Sequence, residues 1–392
     1  SRIENINASN NDYGIYLYDS SNNTITYNNA SNNYDDGICL GYSSNNTITY
    51  NNASNNDYGI YLKFSSNNII TYNNASNNYD DGIYLYDSSS NTITYNNASN
   101  NDYGISLYVS SNNIITYNNA SNNNEGIWLY GSSNNTITYN NASNNYDEGI
   151  YLYKSSNNII TYNNASNNYY GISLYDSSNN TITYNNASNN YDEGIYLYKS
   201  SNNTITYNNA SNNYYGISLY DSSNNIITYN NASNNYDDGI FLWDSSNNTI
   251  AYNNASNNNY YGIYLKYSSN NTLANNSMTD NTCNFILIGE QDSHFDNNID
   301  TTNTVDGKPI YYIKNASNKV YDGSTNAGVF YCIWCNNVTV KDLNLTKNCY
   351  GVFFWKTNNS RIENINASNN DYGIYLYDSS NNTITYNNAS NN

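Results

Sequence analysis

The chain has 392 residues, of which 38% are hydrophobic, 50 are Tyr, one is Pro and only 11% are charged. Twelve Lys and Arg stand against 31 Asp and Glu, and the formal net charge of −19 repels nucleic acid phosphates and anionic lipid, which argues against both as partners. No run of about eighteen apolar residues is present to span a bilayer, and the opening SRIENINASNN has neither the basic nor the apolar region of a secretion signal, so a stretch of a longer chain is expected.

A repeat runs through the chain. Gly recurs ahead of an alternating aliphatic pair at Gly14, Gly37, Gly59, Gly82, Gly104, Gly126, Gly149, Gly171, Gly194, Gly216, Gly239 and Gly262, every 22 or 23 residues. In the first unit Ile15 and Leu17 alternate with Tyr16 and Tyr18, the period of two of a strand with one buried face. Asn and Ser then turn the chain, Ile25 follows between Thr24 and Thr26, and a second corner forms around Asn28 and Ala30. Helical spacing is absent. Short strands with one or two apolar side chains each cannot fold alone, so the units stack and share a core.

Stacking places equivalent residues in columns roughly 4.8 Å apart. Lys154, Asp176, Lys199 and Asp221 fall in one column, where an in-register charge ladder is expected at about 0.2–1 kcal/mol per pair. Inward Asn at the corners are expected to stack amide on amide. Residues 1–272 read as regular coils and 273–350 as variant coils with longer corners, with Asn284, Gly307, Gly328 and Gly351 in the Gly position. Residues 351–392 are regular again. Residues 360–392 are identical to 1–33, a second-order repeat of 359 residues.

The pattern GIxLxxSSNNTIxxNxxxxN resembles the parallel β-helix repeat family, of the NosD type and the carbohydrate-binding and sugar-hydrolase repeats of archaeal cell-surface proteins. The block NTVDGKPIYYIKN with AGVFYCIWCNNVTVKDLNLTKNCYGVFFW is similar to the linking coil of such proteins. The resemblance implies a right-handed coil and an extracytoplasmic setting. The expected fold is therefore all-β, a right-handed parallel β-helix of about 22–23 residues per coil.

The family label carries copper, which wants clustered His, Met or Cys. This chain offers His294 and Met278, sixteen residues apart, and a CxxC at Cys332 and Cys335 with neither a second pair nor a nearby His. Cys39, Cys283 and Cys349 read as small buried hydrophobes or one local disulfide. No cofactor is expected beyond weakly held Ca²⁺, for which the candidates are Asp35, Asp36, Asp80, Asp81, Asp237 and Asp238, in rows two strand spacings apart. Acids that recur at one corner read as architecture, whereas catalysis needs one distinct environment, so no enzyme is expected.

Asn-x-Ser sequons at Asn29, Asn52, Asn74, Asn97, Asn119, Asn141, Asn164, Asn186, Asn209, Asn231 and Asn254 face outward if Asn28 faces inward, and N-glycans are expected there. Outward aromatics form one column at Tyr18, Tyr86, Tyr108, Tyr130, Tyr153, Tyr175, Tyr198 and Tyr220. A neighbouring column holds Tyr16, Tyr61, Tyr84, Trp128, Tyr151 and Tyr196. The expected function is structural: an extracellular, cell-surface filament or sheath component, self-associating end to end and laterally. The alternatives are a carbohydrate-binding or adhesion module using the Tyr columns and a polysaccharide-acting enzyme sited near Asp292, His294 and Asp296.

Overall fold

The computed structural model describes residues 1–392, which form two compact units, Ser1–Asn209 and Ala210–Asn392. The architecture is the expected all-β, right-handed parallel β-solenoid.

In Ser1–Asn209 each repeat makes one turn. A long strand such as Asp81–Tyr86 and a short strand such as Thr92–Thr94 build two walls, and single residues such as Asn97, bridged to Asn74 and Asn119, build a third. Pairing is parallel and in register, with Ile83 and Leu85 beside Ile105 and Leu107, and Ile93 beside Ile115. Like therefore stacks on like. Ile83, Leu85, Ile93 and Ala98 are fully buried, and each large aliphatic side chain contributes about 1.5–3 kcal/mol relative to exposure. A Cβ on Gly82 would stand 2.6 Å from Asn101 Nδ2 and 2.7 Å from the Gly104 carbonyl, so the wall closes only on glycine there.

One left-handed residue turns the chain at each bend of a coil: Asp87 at φ 47°, Ser90 at 60°, Tyr95 at 54° and Asn100 at 59°. Asn and Asp tolerate this conformation because their short polar side chains bond locally, whereas for Tyr it is strained.

The buried corners are polar and bond to their neighbours along each column. Asn96 donates its backbone N–H and its Nδ2 to Asn118 Oδ1, at 2.9 and 3.0 Å, and Nδ2 also reaches the Ile70 carbonyl at 2.9 Å. Its own Oδ1 accepts in the same way from Asn73. Columns through Asn91, Asn78 and Ser88 repeat the arrangement, each backbone N–H donating to the next coil's side-chain oxygen. In the Asn96 column the expected amide stacking pairs every side-chain polar atom, whereas in the Asn91 and Asn78 columns Nδ2 of Asn113, Asn135, Asn123 and Asn145 is buried without a partner.

Ala210–Asn392 starts alike, with long strands Tyr215–Tyr220, Ile240–Trp243, Tyr261–Lys266 and Cys283–Ile288 and short strands Ile226–Thr228, Thr249–Ala251, Thr272–Ala274 and Asn298–Ile299. Asn284 takes the glycine position expected of it, its carbonyl lying against Gly262. Gly307 does not. It forms with Asp306 a two-residue turn, both at positive φ, that folds Lys308–Lys314 back antiparallel onto Thr304–Val305. Asp-Gly suits such a hairpin.

Two further sheets follow. One continues from Ser277–Met278 and Thr304–Val305 through the parallel strands Lys308–Lys314, Val329–Ile333, Tyr350–Trp355 and Tyr372–Tyr377. The other holds Ser317–Tyr321, Asn336–Lys341, Arg361–Glu363 and Thr383–Thr385. Their core is apolar, built from Phe330, Val338, Val340, Leu345, Phe354 and Ile362. A disulfide joins Cys283 to Cys349 across 66 residues, where a local bond was one expectation. No helix is long and apolar enough to cross a membrane.

Candidate functional site

The outer face of the long-strand wall in Ser1–Asn209 concentrates the unusual chemistry. Ile and Leu of each strand point inward, leaving the first, fourth and sixth residues outside. The first position alternates between acid and Tyr except where Glu125 and Glu148 adjoin: Asp36 pairs with Tyr58, Tyr103 lies between Asp81 and Glu125, and Glu148 pairs with Tyr170. Asp36, Asp81, Glu148 and Glu193 are buried although they lie outside the coil. Their cover includes fourth-position rings such as Tyr61, Tyr84 and Tyr151, which are themselves half-buried.

Beside this column runs a second row of carboxylates. Backbone bonds link Asp35 to Asp12, Asp57 to Asp35, Asp80 to Asp57 and Asp102 to Asp80, at 2.8–3.0 Å. Acids therefore stand on five successive coils, one strand spacing apart. The expected gap of two spacings is corrected: Asp57, like Asp35 and Asp80 two residues ahead of its Gly, fills the position between them, Asp102 follows Asp80, and Asn124 then separates Asp102 from Asp147.

Burial dominates the titration of the inner column. Desolvation, with added repulsion from Asp35 and Asp57, pushes Asp36 up to about 7. Desolvation also raises Glu125 to about 8, assisted by Asp147 and Asp102, and Glu148 to about 8, assisted by Glu125. Glu193 reaches about 9 beside Asp192, and Asp81 is held well above the carboxylate range. One oxygen each of Asp36, Asp81, Glu125 and Glu193 has no hydrogen-bond partner, as suits carboxyls kept neutral. Protonated carboxyls beneath a ring layer are competent proton donors, here repeated along a wall.

The remaining sequence-predicted residues fall as follows. Nδ2 of each sequon Asn donates to Oδ1 of the preceding one, as from Asn52 to Asn29 at 2.9 Å and from Asn97 to Asn74 at 2.9 Å, so this column is an outer amide ladder. The Ca²⁺ candidates Asp35, Asp36, Asp80 and Asp81 lie on the acidic wall, and Asp237 and Asp238 take the same positions in the second unit's sequence. No three His, Cys, Asp or Glu side chains converge as a metal site among the described residues. Lys154 and Lys199 sit 5.0 Å over the rings of Tyr153 and Tyr198, and Asp176 adds a weaker attraction to Lys154.

The predicted Tyr column stacks well only in part. Tyr86, Tyr108 and Tyr130 are near parallel, but Gly41 and Lys63 interrupt it after Tyr18, and Tyr175 and Tyr198 tilt by 49°. The regular stack is one that period-two reasoning missed. Tyr27, Tyr50, Tyr72, Tyr95, Tyr117, Tyr139, Tyr162, Tyr184 and Tyr207 follow one another with centroids 4.9–5.1 Å apart and planes within 6°. Each sits just past its strand in the left-handed conformation, where strand alternation no longer applies. The invariable TITY or IITY wording was the available signal. The ring faces cover one another and only edges meet water, which removes the free faces that sugar stacking uses.

In the second unit Asp292 accepts from Trp355 Nε1 at 2.9 Å and Lys356 Nζ at 2.8 Å, which holds it below the usual carboxylate range. Phe295 stacks on Trp355 at 4.0 Å, and Asp296 pairs with Lys314 at 2.6 Å. His294 Nδ1 accepts the Glu290 backbone N–H at 3.1 Å. The predicted trio thus clamps a protruding turn onto the sheet.

These features define a right-handed β-helix protein, and the chain belongs to that family: the "Right handed beta helix region" description matches residues 1–141 and 169–305. It also matches "Periplasmic copper-binding protein (NosD)" over residues 98–213 and 296–392. A search of curated proteins finds no match. Similar solved structures include the Azotobacter vinelandii mannuronan C-5 epimerase AlgE6 A-module, 12% identical over 97% of this chain and 91% of that one, with a TM-score of 0.33. Others are the PL6 family alginate lyase AlyGC, 10% identical over 97% and 77% at 0.43, and the Dettilon tailspike protein, 13% identical over 96% and 61% at 0.31. At these identities the likeness is one of fold.

The expectation that the chain is no enzyme is overturned by these neighbours, several of which are epimerases and lyases, so the architecture does not exclude catalysis. Copper finds no fitting residues here. His294 Nδ1 is engaged by backbone, Met278 is fully buried, and Cys332 and Cys335 are buried in an apolar core.

Proposed function

We propose that this chain is a structural β-solenoid of the extracellular or periplasmic space, serving as a stiff element of a surface filament or sheath. The NosD family description and the AlgG epimerase among the neighbours are periplasmic, which supports the compartment. The observation that carries the role is the unbroken set of columns in Ser1–Asn209. Aliphatic, amide and tyrosine side chains each run coil to coil, so bending any turn disturbs several ladders at once. Outward Asn29 and its equivalents are the proposed carriers of N-glycans. Their ladder uses one N–H of each amide and leaves the other for a sugar.

Electron microscopy of the purified chain tests this reading. Rods that lengthen end to end, with fibre diffraction at about 4.8 Å along the axis, are expected. Discrete particles that never elongate would sink it.

A further inference from the structure

The short-strand wall of Ser1–Asn209 shows three outward columns over nine coils. The first is the tyrosine stack, whose rings are each about half exposed. The second is a threonine row in which Thr94 Oγ1 donates to Thr71 Oγ1, and Thr161 bonds Thr183, both at 2.9 Å. The third alternates. Thr47, Ile69, Thr92, Ile114, Thr136, Ile159 and Thr181 follow one another in register.

Ile69, Ile114 and Ile159 each remain 46% exposed. Ile and Thr share a branched Cβ, but Ile extends one carbon further. The column is therefore a line of apolar knobs every second coil, about 9.6 Å apart, with shallow recesses between them. From Thr24–Tyr27 to Thr204–Tyr207 these four strand positions carry no charge on any coil, in a chain of net charge −19. The acidic row lies on the other wall.

We infer that this wall is a lateral interface for a second copy of the chain. Set against each other with a shift of one coil, two such walls seat the Ile knobs of one in the Thr recesses of the other and line the Tyr edges along the seam. Contact sustained over eight coils needs a partner with the same axial period, which a second copy has by construction of its own repeat. The shared wall measures about 38 Å by about 13 Å. Two copies thus cover about 1,000 Å² in total, the size that separates specific interfaces from incidental ones. Neutrality lets two strongly acidic molecules approach here without like-charge repulsion. This side-by-side pairing is independent of end-to-end growth.

Sedimentation velocity and light scattering of the full chain across a concentration series test it, with Ile69→Lys/Ile114→Lys/Ile159→Lys and Ile69→Thr/Ile114→Thr/Ile159→Thr beside the parent. The parent is expected to double in mass at micromolar concentration, the Lys triple to lose about 100-fold in affinity and the Thr triple about 10-fold. Thr already occupies this column at Thr92 and Thr136, so the Thr triple keeps the fold even if the Lys triple does not. A parent that stays single at about 100 μM, or a folded Thr triple that associates as the parent does, overturns the interface. Single-width rods would sink the pairing and leave the filament reading intact, whereas paired particles that never lengthen would do the reverse.

Discussion

The regular coils of Ser1–Asn209 and the variant coils that follow Asp306–Gly307 solve the same corner differently. In the first, Asn96 is buried and every polar atom is met by Asn73, Asn118 or Ile70. In the second, Leu343 and Ile365 occupy that corner, and Ile365 N–H donates to Asn387 Oδ1 where the amide series resumes. A buried amide is tolerable only in a run, because its partner is another amide one coil away. Where the run breaks, aliphatic corners, an aromatic core and the Cys283–Cys349 disulfide take over.

The largest effect expected from this contrast is in the variant core. Phe354→Ala there should lower stability by about 3–5 kcal/mol in urea titration, the loss of a fully buried ring. Asn96→Leu, harmless in size, should lower stability by about 2–4 kcal/mol by stranding Asn73 donors and the Ile70 carbonyl. A neutral outcome would mean that the ladder is incidental to the regular coils.

The two regions should also answer pH in opposite senses. Asp36, Glu125, Glu148 and Glu193 hold protons in the folded wall up to about 7, 8, 8 and 9. Unfolded carboxyls lose them near pH 4. Folded values raised in this way give stability that is whole below about pH 4 and lost as pH climbs through about 7–9. Circular dichroism melts of the parent should fall across that window, and a variant with these acids and Asp81 changed to Asn or Gln should show a flatter profile. Asp292, held low by Lys356 and Trp355, contributes at neutral pH and loses its contribution as pH falls through its depressed value.

The smallest effect is expected at Tyr117→Asn. Relief of left-handed strain and loss of two ring stacks oppose each other, leaving a change within about 1 kcal/mol by the same melts. A larger loss would make the tyrosine stack, and not the amides, the principal brace of this wall.

Much of the coil was legible in the sequence. Ile15, Leu17 and Ile25 announce their burial by alternation, and Asn28 announces its stacking by recurring where a core would want Leu. What escaped depended on geometry outside the strands. Tyr27 lies one residue past the alternation, in a conformation that strand reasoning does not anticipate for Tyr. The acidic row needed every unit aligned on its glycine, which puts Asp57, two residues before Gly59, in line with Asp35, two before Gly37. Cys283 and Cys349 meet across intervening coils, a contact that no local spacing encodes. The hairpin was available in Asp306–Gly307, but a parallel reading of the repeat had no place for a reversal.

The alternation of long and short repeats also sets how this protein can change by recombination. Gly14, Gly59, Gly104, Gly149, Gly194 and Gly239 are each 45 residues apart, so the element that duplicates without scars is a pair of turns. Away from Glu125 and Glu148, which already adjoin, loss of a single turn would join the cut ends in register yet bring two acids or two Tyr together at the head of adjacent long strands. Loss of 45 residues would leave a shorter molecule with the same order of neighbours, and natural length variants should differ in that step.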